Sequence, residues 1–123
     1  MEYNNDFRYD LKVGQVAEKE LASILSGKKI EVKNDLQAHK TGNIFLEYES
    51  RNKPSGIATS QADFYCIKIK ETLILIPTLK LKELCRKHIG TTRDIKGGDS
   101  NTSKGVLLPI NELLITSHKI APL

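Results

Sequence analysis

Four carboxylates are the residues of this chain whose type and spacing suggest chemistry: Glu18, Asp35, Glu47 and Glu49. Glu47 and Glu49 stand two apart in Asn43-Ile44-Phe45-Leu46-Glu47-Tyr48-Glu49-Ser50, a segment with apolar residues at both parities. That pattern predicts a strand covered on both sides, and i, i+2 spacing predicts both glutamates on one face of it. Two like charges drawn out of water cost several kcal/mol unless a cation or donors compensate. A divalent ion such as Mg²⁺ takes hard oxygen ligands and keeps waters that a phosphate can displace. A metal so held activates water and steadies a phosphodiester transition state. The bland alternative is a pair of glutamates facing solvent on an edge strand.

The elements around these residues follow from periodicity. Ala17, Leu21, Ile24 and Leu25 predict a helix over Val13–Ser26 with Gly27 as its stop, after a lead-in over 1–12. Glu18 falls at the rim of its apolar stripe, and Glu20 nearer the middle. A short alternating strand follows over Lys29–Lys33, then a polar loop over 34–42 that carries Asp35. Beyond the Glu47 strand, 51–56 is turn chemistry, with a short helical turn in 57–62. Phe64–Lys70 and Thr72–Ile76 read as a hairpin about Lys70-Glu71. Thr78 is the expected N-cap of a helix running to about Ile89. A long polar loop is expected over 90–105, with a last strand over Val106–Ile110 and a helical turn over Asn111–Thr116. Together these predict one α/β domain over 1–123 with a mixed central sheet flanked by helices.

Composition narrows the function classes. The chain has 123 residues, 28% of them charged and 39% apolar, which fits a single folded domain. Its longest aliphatic run is Leu73–Ile76, far below the roughly 20 residues that span a bilayer, and its polar, acidic start does not read as a signal peptide. Cys66 and Cys85 form no CxxC, so both are expected reduced in a cytoplasmic protein without a zinc site. No Walker A or GxGxxG pattern occurs, which argues against a nucleotide cofactor, and the three histidines form no HxxxH pair. The net charge of +4 is uneven. Residues 1–50 hold seven Lys and Arg against nine Asp and Glu, whereas 51–123 hold twelve against six. An acidic, metal-binding centre beside a basic surface suits a polyanion.

Gly14-Gln15-Val16-Ala17-Glu18, then Asp35, then Glu47-Tyr48-Glu49 resembles the PD-(D/E)XK nuclease superfamily. The first helix is similar to that of small archaeal Holliday-junction resolvases. Thr41–Ser50, with Lys53-Pro54-Ser55-Gly56-Ile57 and Ala62–Tyr65, resembles small nucleases of phage genomes. The resemblance covers roughly 12–76. It implies a restriction-endonuclease-like core and Mg²⁺- or Mn²⁺-dependent cleavage of double-stranded or branched DNA, with a homodimer for paired cuts. It makes Asp35 the central metal ligand, Glu47 the second, and Glu18 a third from the helix, with Glu20 its rival. The superfamily lysine two residues after the glutamate is replaced by Glu49, which is left to bind a second metal or take a proton from water. A second metal, Lys53 or Lys33 stands in for the missing cation. Glu31-Val32-Lys33 is a literal ExK, but a helix rather than a strand precedes it.

Lys33, Arg51, Lys53, Ser55, Arg86, Lys87, Arg93, Lys96 and Lys104 are the expected phosphate contacts. With aromatic residues at 6%, stacking on single strands has little support. An inactive DNA-binding module on the same scaffold is the competing expectation.

Overall fold

A computed structural model describes residues 25–117, together with Lys19 and Ser23. The chain divides into two compact units, Met1–Lys28 with Pro122–Leu123, and Lys29–Ala121. In the smaller, Lys19, Ser23 and Leu25 are helical, and Gly27 at φ +72° ends the helix as its position predicts.

The larger unit is mixed α/β. Its strands are β1 (Ile30–Asn34), β2 (Asn43–Ser50), β3 (Lys53–Pro54), β4 (Phe64–Ile69), β5 (Thr72–Pro77), β6 (Asp94–Gly97) and β7 (Ser103–Pro109). Its helices are α1 (Ala38–Thr41), α2 (Thr78–Arg86) and α3 (Ile110–Ser117). Instead of one central sheet there are two, ordered β1-β4-β5 and β3-β2-β7-β6. The first is mixed, with β1 parallel to β4 and β4 antiparallel to β5. The second is wholly antiparallel.

One core joins both sheets and two helices. Ile44, Leu46, Val106 and Leu108 meet Tyr65, Ile67, Ile74 and Ile76, with Leu81 from α2 and Leu113 from α3. All ten are buried to 5% exposure or less, so β2, β4, β5 and β7 keep the period-2 pattern of strands with one face inward. Helix α2 packs against β4, β5, β7 and the 3-10 turn Gly56–Ala58, and α3 against α2, β5 and β7. Among the described residues no helix is long and apolar enough to cross a membrane.

Four expectations about single elements are corrected. The loop over 90–105 holds β6, a 3-10 turn at Asp99–Asn101 and the start of β7. β6 is an edge strand, so Asp94 and Lys96 do not conflict with it, but neither do they announce a strand. Thr78 is the first residue of α2 rather than its N-cap. The cap position is Pro77, and Thr78 Oγ1 is buried with no hydrogen-bond partner among the described residues. β1 is inverted: register sets Glu31 and Lys33 beside the core residues Tyr65 and Ile67, and leaves Val32 68% exposed beside Cys66. The 34–42 segment also contains α1, whose last turn is closed by Gly42 N–H donating to Ala38 O at 2.8 Å.

Helices α2 and α3 are clasped by charge. Glu112 accepts from His88 Nε2 at 2.9 Å and from Lys87 Nζ at 3.1 Å. Burial alone pushes the Glu112 carboxyl up, but the bonds from Lys87 and His88 and their charge outweigh it and hold the carboxyl below its ordinary value. A depressed folded-state pKa adds stability above the unfolded value and loses it as pH falls through the folded one. Glu112→Gln is therefore expected to lower stability by up to about 1 kcal/mol near neutral pH. The gap from wild type should close as the solution is acidified below about pH 4.5, read by urea unfolding at a series of pH values.

Candidate functional site

The geometry of the acidic residues is set by an irregularity in β2. Glu47 stands opposite Gly105 on β7, but Glu49 stands opposite Lys104, the very next residue. Two residues of β2, Tyr48 and Glu49, thus oppose one of β7, which is a β-bulge. Adjacent residues of a strand point to opposite faces, so Glu47 shares the face of Phe45 and Gly105, while Glu49 shares that of Lys104. The expectation of both glutamates on one face is corrected by this extra residue. Glu49 Oε2 lies 3.4 Å from Lys104 Nζ, as this register requires.

Asp35 and Glu47 remain on related ground. Asp35 Oδ2 accepts the N–H of Phe45 at 3.1 Å, and Oδ1 that of Gln37 at 3.0 Å. The first bond covers an N–H of β2 on the edge that β7 does not pair. Glu47 lies two residues on, about 7 Å along the same strand face. Its Oε2 accepts the Ser55 hydroxyl at 2.9 Å. Gly56, at φ +54°, presses on the Glu47 backbone so closely that a Cβ there falls 2.2 Å from the Glu47 carbonyl oxygen. Only glycine fits both the conformation and the gap.

The hairpin after β2 brings a cation to the same face. Arg51 (φ 49°) and Asn52 (φ 66°) are both left-handed, the geometry of a two-residue type I′ turn. That turn pairs Lys53 with Ser50, and Ser50 opposes Ser103. Ser103 and Gly105 share a face of β7, so Lys53 belongs to the Glu47 face. Its side chain is exposed, and no hydrogen bond or ion pair engages it among the described residues.

The other expected residues disperse. Lys33 lies beside Ile67 in the three-stranded sheet, Arg51 stands in the hairpin turn, and Lys96 opposes Lys104 on the Glu49 face. Arg93 is committed to the fold: its Nη1 donates to Asn43 Oδ1 at 2.8 Å and to the Leu107 carbonyl at 3.2 Å. Glu18 and Glu20 lie outside the described residues. Among the described residues no three His, Cys, Asp or Glu gather at metal-binding spacing.

Sequence reasoning missed Tyr48. Strand alternation sets it on the core side with Ile44 and Leu46, where its hydroxyl donates to Asp94 Oδ1 at 2.5 Å. The bond to that carboxylate, with burial, pushes the phenol up to about 12, so the proton stays on oxygen. The two residues are 46 positions apart, and no local signal links them.

Compared with known proteins, the chain matches no family model, no curated protein and no solved structure.

Asp35 works for the fold whatever else it does. Asp35→Ala frees two backbone N–H groups and is expected to lower stability by about 1–2 kcal/mol, whereas Asp35→Asn, which keeps an acceptor, costs less. Urea unfolding of the two variants reads the difference.

Proposed function

We propose that the chain is a metal-dependent endonuclease that hydrolyses phosphodiester bonds of DNA on a restriction-endonuclease-like core. The observation that carries this reading is the placing of Glu47 and Lys53 on one face of the four-stranded sheet, with Asp35 at its edge. This is a set of two carboxylates and a cation, and the bulge and the type I′ turn assemble it from residues far from the spacing of the superfamily motif. Lys53 then supplies the cation that position 49 lacks, and Glu49, spent on Lys104, plays no part.

The donor set suits Mg²⁺ or Mn²⁺. Asp35 and Glu47 offer hard oxygens, and Mg²⁺ is commonly held by one or two carboxylates with water and substrate phosphate completing its shell. The ion, when bound, supplies acidified water and charge stabilisation. The protein does the rest. Ser55 fixes one oxygen of Glu47, and no hydrogen bond among the described residues engages the other. Lys53 meets the charge that grows on the phosphate oxygens, a role in which removing one donor commonly costs 10²–10³-fold in rate. Arg51 and Lys53 hold the neighbouring backbone phosphates.

One observation favours the competing reading, a DNA-binding module without catalysis: both Asp35 oxygens already accept backbone N–H groups. Incubation with supercoiled plasmid and with a four-way junction, in Mg²⁺, Mn²⁺ or EDTA, separates the two. The expected result is metal-dependent cutting that Glu47→Ala abolishes, that Lys53→Gln lowers about 10²–10³-fold, and that Glu49→Gln leaves within a few-fold. Cutting by Glu47→Ala, or an inactive Glu49→Gln beside an active Lys53→Gln, overturns the site. No cutting in any lane, with retarded DNA whose affinity falls steeply with salt, selects the binding module.

A further inference from the structure

On the face of the four-stranded sheet opposite Glu47, a groove of about 350 Å³ opens between α2 and the bulged end of β2. Its walls are apolar: the Tyr48 ring, Ile57 and Ala58 of the 3-10 turn, Cys85 of α2 and Ile89 beyond it. Among the described residues that line it, the charged ones are Lys82 and Arg86, one helical turn apart on α2, and none is Asp or Glu. Arg86 is exposed and engaged by no hydrogen bond or ion pair among the described residues, and Lys82 Nζ reaches only the Ser60 carbonyl at 3.5 Å. The Tyr48 ring is held in place by its bond to Asp94.

These features specify the occupant's chemistry. It has a flat or apolar body for the walls and an anionic group for the two cations. The volume, near the low end of the roughly 300–1,000 Å³ of small-molecule pockets, admits one such unit and not a run of them. Covalent chemistry has no agent here, because burial pushes the Cys85 thiol up to about 12.

We infer that this groove receives a single unpaired nucleotide of a DNA substrate, its base against Tyr48, Ile57 and Ile89 and its phosphate at Lys82 and Arg86. The choice of a nucleotide over other anionic ring compounds rests on the DNA reading above. The 3-10 turn supports the link: Gly56 abuts the Glu47 backbone, and the next two residues line the groove. A base inside a duplex is stacked on both sides and cannot enter, whereas an unpaired base enters at little cost. The groove thus reads whether DNA is interrupted, and the Glu47 face cuts it.

The test uses two labelled duplexes that differ by one unpaired nucleotide. Affinities are measured by fluorescence anisotropy in EDTA, where no cutting intervenes. Wild type is expected to bind the interrupted duplex about tenfold more tightly, the scale of one base stacking on an aromatic side chain. Lys82→Gln/Arg86→Gln is expected to bring the ratio near one, and Glu47→Ala to leave it unchanged. In wild type, the methyl resonances of Ile57 and Ile89 should shift with the interrupted duplex only, a readout that needs no variant to fold. Equal affinities in wild type overturn the groove while leaving the DNA reading intact. A preference that survives the double substitution, or methyl groups that do not move, places the nucleotide elsewhere and overturns it too. Failure to bind either duplex at moderate salt removes the DNA reading and this inference together.

Discussion

The extra residue in β2 is the constraint on which the rest of the molecule turns. In a straight strand Glu47 and Glu49 share a face, and Tyr48 stands alone on the other. With Tyr48 and Glu49 both opposite Lys104, each of the three meets a partner suited to it: Glu47 the Ser55 hydroxyl, Tyr48 the Asp94 carboxylate, Glu49 the Lys104 ammonium. A bulge leaves backbone groups outside the ladder, and unpaired backbone polar groups are costly. Here the Tyr48 carbonyl accepts the Ser55 N–H at 3.0 Å. The residue whose hydroxyl orients Glu47 is therefore the one that satisfies the irregularity beneath it.

The face that bears Glu47 is held by a second local device. The Phe45 ring lies over Gly105 and Gly97: a Cβ on Gly105 falls 2.5 Å from ring carbons, and one on Gly97 falls 2.9 Å from Cζ. Two glycines set diagonally on β7 and β6, Gly105 opposite Ile95 and Gly97 opposite Ser103, weaken a sheet by themselves, since they lack side chains to pack. The ring takes the place of those side chains. Phe45 also gives its N–H to Asp35, so one residue fixes the sheet beneath the proposed site and the carboxylate at its edge. Stability and site geometry here are not separable properties.

Much of the fold was legible because burial enforces period. β2 has the bounds its pattern predicts, the β4–β5 hairpin turns at Lys70 as expected, and α3 follows β7. The errors have a common physical source, the weakness of sequence signals where water is near. β6 is polar because it is an edge. β1 carries a clean alternation, but its apolar residues lie on the exposed side. The bulge has no sequence signature, since Glu-Tyr-Glu reads as ordinary alternation. The face of Lys53 depends on two left-handed residues, Arg51 and Asn52, neither of which is glycine. Asp35 and Glu47 enter the candidate site through the order of the acidic residues and the resemblance that order carries. Their relation to Lys53 needed the register.

The uneven charge of the sequence takes a definite form in the fold. Arg51 and Lys53 sit in the β2–β3 hairpin, and Lys96 and Lys104 flank the β6–β7 hairpin. The two hairpins meet where Arg51 N–H donates to the Thr102 carbonyl at 2.9 Å. Four of the twelve basic residues of the second half are thus collected at one end of the four-stranded sheet, the end at which the bulge divides Glu47 from Glu49. At that end Lys53 lies on one face of the sheet and Lys104 on the other. The proposed site and the groove with Lys82 and Arg86 then need not compete for one surface. They lie on either side of the same few residues of β2, and the chain between them, Ser55 to Ala58, touches both.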